Sequence, residues 1–340
     1  MRAAVVRAVG EAPAVEEVPT PERGPGDALV RVEAVALNPV ELHISRGYFF
    51  EGPPELPYVP GVEAAGVVEE GESLAPGTRV RVELIHPGYG RDGAVAEYVV
   101  APETPDDSDR RSQAMVFPLA DGIDPVAGAA VGSSAYTALM LFDRAAAAGA
   151  RVEGGSVLVV AATGAVGRFA VQIARKRGAA RVVAAGRDAA ALRRCRELGA
   201  DATVALVENE GSPAAASADV LRERFAEAAG RGGFDLVLEP LWGEPARAAM
   251  EALGAGGVLV NFGQVVSPTA ELPSLPLRNP GVVLAGHSGA WTTPAERREG
   301  FERVHELGLT LDVDELGLDD IAEGWRRLAG SGKPKLVVRL

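Results

Sequence analysis

Thr163, Gly164, Ala165, Val166 and Gly167 stand between two apolar runs, Val157 to Ala161 and Arg181 to Ala185, and Gly186 and Arg187 follow the second run. In that order these residue types suit a dinucleotide. Gly164 and Gly167 let the backbone turn sharply and bring its amides close to a pyrophosphate, whose charge then lies at a helix N-terminus. An acid after the second strand would accept the ribose hydroxyls of NAD, whereas Arg187 there favours a 2′-phosphate, so the expected cofactor is NADPH. A second reading makes Arg187 a solvated surface residue and Asp188 the ribose ligand. Ala162 replaces the first glycine of the usual pattern. The argument therefore rests on the succession of strand, turn, helix and strand.

The elements that must position this turn follow from periodicity. A helix is expected from Val166 to Arg177, with Val166, Ala170, Ile173 and Ala174 on one apolar side and Gly178 ending it. Further on come a helix from Ala189 to Leu198, a strand near Thr203 to Leu206, a helix from Ala218 to Ala229, the strand FDLVLEP, a helix from Glu244 to Leu253 and the strand GGVLVNFG. That order is a doubly wound parallel sheet. Upstream, residues 1 to 103 show short alternating runs broken by Gly and Pro, a compact all-β pattern, and 104 to 113 read as an exposed polar loop. Pro125 to Ala147 turn helical. Past Pro280, GVVLAGHS suits a last sheet strand, helices follow from Pro294 to Leu307 and Leu318 to Ala329, and KPKLVVRL is a strand expected to return to the N-terminal β region.

Composition excludes several classes. The 340 residues can form two cores, 47% of them are hydrophobic, and the net charge of -13 opposes nucleic acid. No apolar stretch looks long enough for a membrane span and no signal pattern opens the chain, so cytoplasm is the expected compartment. The single cysteine, Cys195, allows no internal disulfide and no thiolate cluster, and reads as a buried structural thiol. His43, His86, His287 and His305 are scattered and suit structural or solvated roles better than a metal site.

Over nearly its whole length the sequence resembles the medium-chain dehydrogenase/reductase superfamily, on the zinc-free quinone oxidoreductase and enoyl or alkenal reductase side. The likeness is carried by MRAAVV, VALNPVELHISRGY, YVPGVEAAGVV, APGTRV, SSAYTALMLF, AATGAVG, AAGRD, VNFGQ and SGKPKLVV, in that order. It implies an α/β fold, a Rossmann doubly wound parallel sheet at 121–288 plus a GroES-like β-barrel-type catalytic domain at 1–120 and 289–340. At the positions resembling the zinc ligands of alcohol dehydrogenases stand Asn38 and Val62, so no metal site is expected.

The resemblance also implies a hydride transfer to a quinone or an α,β-unsaturated carbonyl compound, with Asn38, Tyr48 and Arg46 as catalytic candidates that could offer hydrogen bonds, charge or a proton. Asn38 could instead cap a turn before Pro39, Arg46 could be exposed, and Tyr48, Phe49 and Phe50 could form an aromatic wall. Further cofactor contacts are implied at Thr137, Phe262, Gly263, Gln264 and Lys333, the last equally suited to the surface. The small-molecule substrate has no nucleic-acid or membrane counterpart among the expected partners, and a homodimer follows from the likeness alone. Two rivals stay open: a nucleotide-binding sensor or structural protein without redox turnover, and an alcohol dehydrogenase with unusual zinc ligands.

Overall fold

The computed structural model describes all residues except 50, 85, 105–113, 121, 210, 211, 213, 290, 291 and 331–333. Among the described residues, six strands form a wholly parallel sheet in the order Ala202–Ala205, Arg181–Gly186, Ser156–Val159, Phe234–Glu239, Leu253–Asn261 and Val283–Gly286. The chain enters at the middle of this sheet, works out to one edge, and returns to build the other half. That reversal opens a crevice at the carboxyl ends of Ser156–Val159 and Phe234–Glu239.

The apolar run at Val157 is continuous because both of its faces are covered. Val157 and Val159 pack with Phe169 and Ile173 of the helix Ala165–Lys176, whereas Leu158 and Val160 pack with Phe225 of Ala218–Ala229 and Met250 of Glu244–Glu251. Phe169 is fully buried, a contribution of about 1.5–3 kcal/mol. Element boundaries agree with the periodic reading to within a few residues.

In the second sheet Asp27–Ala36 pairs antiparallel with Glu63–Glu70, Tyr98–Pro102 and Lys335–Arg339. Arg79–Glu83 and Met115–Pro118 extend it on one side and Val313–Gly317 on the other. The last strand thus returns to the N-terminal sheet, as KPKLVVRL suggests. A helix, Pro39–Ser45, interrupts the β pattern; the alternating runs gave no sign of it. Of the polar stretch expected as a loop at 104 to 113, only Thr104 is described, and 105–113 lie outside the described residues.

The helix Pro125–Ala147 joins the two sheets. Asp124 caps it through Val126 N (2.9 Å) and Ala127 N (3.3 Å), with Pro125 in the first turn. Contrary to the sequence expectation, its length and hydropathy would allow a membrane span, but 67% of its apolar window is buried inside the protein. Its regular backbone breaks at Gly132, with φ -24° and ψ -127°. A Cβ at Gly132 would overlap the Arg81 guanidinium, which donates to Gly128 O at 2.9 Å across the break.

This contact makes a testable prediction. Gly132→Ala should lower stability by about 1–3 kcal/mol through overpacking, while Gly232→Ala, where an added Cβ meets nothing, should stay within about 0.5 kcal/mol. Urea unfolding of both variants checks the contrast.

Candidate functional site

A cavity of about 730 Å³ lies between the two sheets. The parallel sheet contributes Thr163, Gly164, Ala165, Val166, Gly167, Gly186, Arg187 and Phe262, all anticipated from sequence. From the β domain come Asn38, His43 and Lys335, and Ser134 comes from the joining helix.

The turn at Gly164 has the chemistry of an anion site. Asp124, Asp188, Ser217 and Thr293 cap their helices with side-chain oxygens, but Gly164 offers no side-chain cap to the helix Ala165–Lys176. Its first-turn amides therefore have no such acceptor, and the helix dipole adds positive potential there. Gly167 is demanded by packing, since a Cβ would lie 2.5 Å from Ala162 Cα. The residues present fit a bound dinucleotide.

At the end of Arg181–Gly186, Arg187 is exposed on the cavity wall and has no acid partner among the described residues. Asp188 is committed elsewhere, accepting from Ala191 N at 2.7 Å as a helix cap. Of the two sequence readings, this geometry favours Arg187 as the ligand. Arg168, Arg327 and Lys335 also line the cavity, ion-paired with Asp312 (4.0 Å), Asp314 and Glu63 respectively, and among the described residues Glu244 is the one acid on the lining.

Opposite the turn, the buried Glu63 carboxylate organises the wall. Oε1 accepts from Asn38 Nδ2 (2.8 Å) and Lys335 Nζ (3.2 Å), and Oε2 accepts from Ser133 N (2.7 Å) and the Arg81 guanidinium. Burial alone would raise this carboxyl, but Lys335 and Arg81, with the Ser133 and Asn38 donors, hold it down to about 2. Lys335 Nζ also donates to Asn38 Oδ1 and, at 3.4 Å, to Ser134 Oγ. Nearby, burial lifts Glu41 to about 7, although Val62 N and Gly61 N donate to it at 3.0 and 3.1 Å.

These two carboxyls act on stability with opposite sign. The depressed Glu63 adds stability above its ordinary 4.5 and loses it as pH falls toward 2. The raised Glu41 adds stability below 4.5 and loses it as pH climbs to 7. The urea midpoint should therefore drop between pH 4.5 and 7, and Glu41→Gln should flatten that drop.

Several sequence expectations change here. Asn38 lines the cavity and occupies the helix N-cap position, but its side chain makes no cap, because its Oδ1 accepts from Lys335 Nζ while both amide hydrogens go to Ala36 O and Glu63. Tyr48 is 77% exposed and Arg46 is also exposed; neither lines the cavity. The helix Pro39–Ser45 ends before them, and Gly47 at φ +70° carries the chain away. Phe49 packs on His86 and Tyr89, at centroid distances of 5.0 and 5.9 Å, rather than walling the cavity. Phe50 lies outside the described residues.

Thr137 is half-buried and off the cavity, one turn beyond Ser134, which takes the expected place on the wall. Gly263 packs against Pro240 and Gln264 is exposed, and beside the expected Phe262 it is Val265 and Val266 that line the cavity. Lys333 lies outside the described residues, while Lys335, which sequence reasoning missed, is central. Among the described residues, no three His, Cys, Asp or Glu side chains are grouped to hold a metal ion.

Fold and site together define a two-domain protein with a dinucleotide cleft between its domains. Residues 24–105 match the alcohol dehydrogenase GroES-like domain and residues 165–299 match the zinc-binding dehydrogenase family. The solved quinone oxidoreductase of Thermus thermophilus, also determined with NADPH, is 30% identical with a TM-score of 0.76, each chain being covered 100%. A solved NAD-dependent alcohol dehydrogenase is 27% identical with a TM-score of 0.77, again with both chains covered 100%. Quinone oxidoreductase of Lama guanicoe is 35% identical over 162 residues, 46% of this chain. The match spans only 43% of that relative's length. The chain belongs to the medium-chain dehydrogenase/reductase superfamily.

Proposed function

We propose that this protein is a zinc-independent, NADPH-dependent reductase that delivers hydride to a quinone or an α,β-unsaturated carbonyl compound. One observation carries this reading: the uncapped glycine turn and the buried ammonium of Lys335 line the same cavity. Bound there, the dihydronicotinamide would supply the hydride. The amides of Gly164 to Gly167 would hold its diphosphate and Arg187 its 2′-phosphate. The quinone oxidoreductase relatives and the NADPH complex of the Thermus thermophilus protein support the same choice.

Chemistry at the far wall supports independence from zinc. The positions resembling zinc ligands hold Asn38, whose amide is committed to Ala36, Glu63 and Lys335, and Val62. A cation placed beside Asn38 would meet the Lys335 ammonium and be repelled. Elemental analysis of purified protein should find no stoichiometric zinc, and chelation should leave turnover intact.

The main test follows loss of NADPH or NADH absorbance with a panel of quinones, enones and simple aldehydes. Consumption of NADPH with quinones or enones is expected. The commitment of both Asn38 amide hydrogens favours one rival, a nucleotide-binding protein without turnover, and retained NADPH binding with no consumption would establish it. Arg187→Ala should weaken NADPH at least tenfold more than NADH, since about 1.5–3 kcal/mol attends a charged hydrogen bond; equal losses would remove the case for 2′-phosphate recognition.

The same reading includes a cytoplasmic location and a homodimer. Strand Val283–Gly286 is an edge of the parallel sheet, and Val283 and Leu284 are 39% and 38% exposed. Such an edge invites pairing with a second copy. Leu284→Lys should shift the protein to monomer in sedimentation if this edge is the interface.

A further inference from the structure

We infer that the Ser134 hydroxyl is the hydrogen-bond and proton donor to the substrate oxygen, with Lys335 replenishing its proton. This rests on the reductase reading above. The donors around the site decide the matter. Asn38 cannot serve, because Oδ1 accepts from Lys335 and both Nδ2 hydrogens are given to Ala36 O (3.1 Å) and Glu63 Oε1 (2.8 Å). The same contacts fix which end of the amide is oxygen, since both Nδ2 partners are acceptors only. The three hydrogens of the Lys335 ammonium are directed to Asn38, Glu63 and Ser134.

Ser134 is different. Its Oγ accepts from Lys335 at 3.4 Å, the residue lines the cavity, and among the described residues its own O–H is given to no acceptor. A serine hydroxyl carries one donor and two acceptor sites. With an acceptor site turned to the ammonium, its hydrogen remains for a ligand. The neighbouring positive charge makes that hydrogen a stronger donor.

When the acceptor gains a hydride at its electrophilic carbon, a π pair moves onto its oxygen and leaves an enolate or a hydroquinone monoanion. The Ser134 proton passes to that oxygen, forming an O–H bond, and a Lys335 N–H proton passes to Ser134 Oγ. Lys335 is left as a neutral amine and regains its proton from water in the cavity. One hydride and one proton complete the two-electron reduction. Arg81 remains on Glu63 throughout, so the buried carboxylate keeps a cation while Lys335 is neutral.

The test compares wild type, Ser134→Ala and Ser134→Thr with the acceptor that the panel identifies, reading kcat and, separately, NADPH Kd by fluorescence quenching. Ser134→Ala should lower kcat about 10²-fold, the scale of one general-acid contribution, with NADPH Kd unchanged, and Ser134→Thr should restore most of the rate. Turnover of Ser134→Ala at the wild-type rate would overturn the inference while leaving the reductase reading intact. A parallel loss of NADPH binding would also overturn it, making Ser134 a cofactor contact. Wild type idle with every acceptor would overturn the reductase reading and this step with it.

Discussion

The Glu63 carboxylate is the constraint on which the rest of the molecule depends. It is fully buried, and an ion in that setting survives only when its oxygens are supplied with donors. Asn38, Lys335, Arg81 and Ser133 supply them, and each arrives on a different element: the start of a short helix, the last strand, a central strand and the joining helix. One carboxylate thereby fixes how three strands of the second sheet, the short helix and the long helix meet. The break at Gly132 belongs to the same arrangement, because without it the guanidinium could not pass beneath the helix to reach Glu63.

Charge is distributed unevenly as a result. A chain with a net charge of -13 encloses a cleft walled by Arg168, Arg187, Arg327 and Lys335. Arg168, Arg327 and Lys335 are balanced by Asp312, Asp314 and Glu63, so Arg187 supplies the positive field that an anion meets at the cleft. The uncapped helix adds backbone amides to that field.

The parallel sheet was legible in the sequence because each of its strands is a local apolar run and each helix has a local period. The placing of Gly164 to Gly167 and Arg187 at the strand ends was legible for the same reason, since it depends on near neighbours in the chain. Lys335 was not: nothing beside it in sequence marks it as buried, and its partner Glu63 lies 272 positions away. Ser134 and Thr137 could not be told apart, since both are small hydroxyl residues on one helix and the break at Gly132 sets which one meets the cavity. Tyr48 and Arg46 were candidates through the family likeness and their donor chemistry, but both are exposed, Tyr48 lying just past the left-handed turn at Gly47. Helix Pro39–Ser45 was hidden by being only seven residues long.

The pairing of Lys335 with Glu63 has a consequence for the order in which the molecule can be made. During synthesis Glu63 and Arg81 emerge early and can pair, yet the far wall of the cleft stays open until the strand Lys335–Arg339 is released and docks on Asp27–Ala36. Contacts of such long sequence separation form slowly. A partly made chain can therefore fold its parallel sheet and expose a glycine turn while the Lys335 ammonium opposite it is still missing.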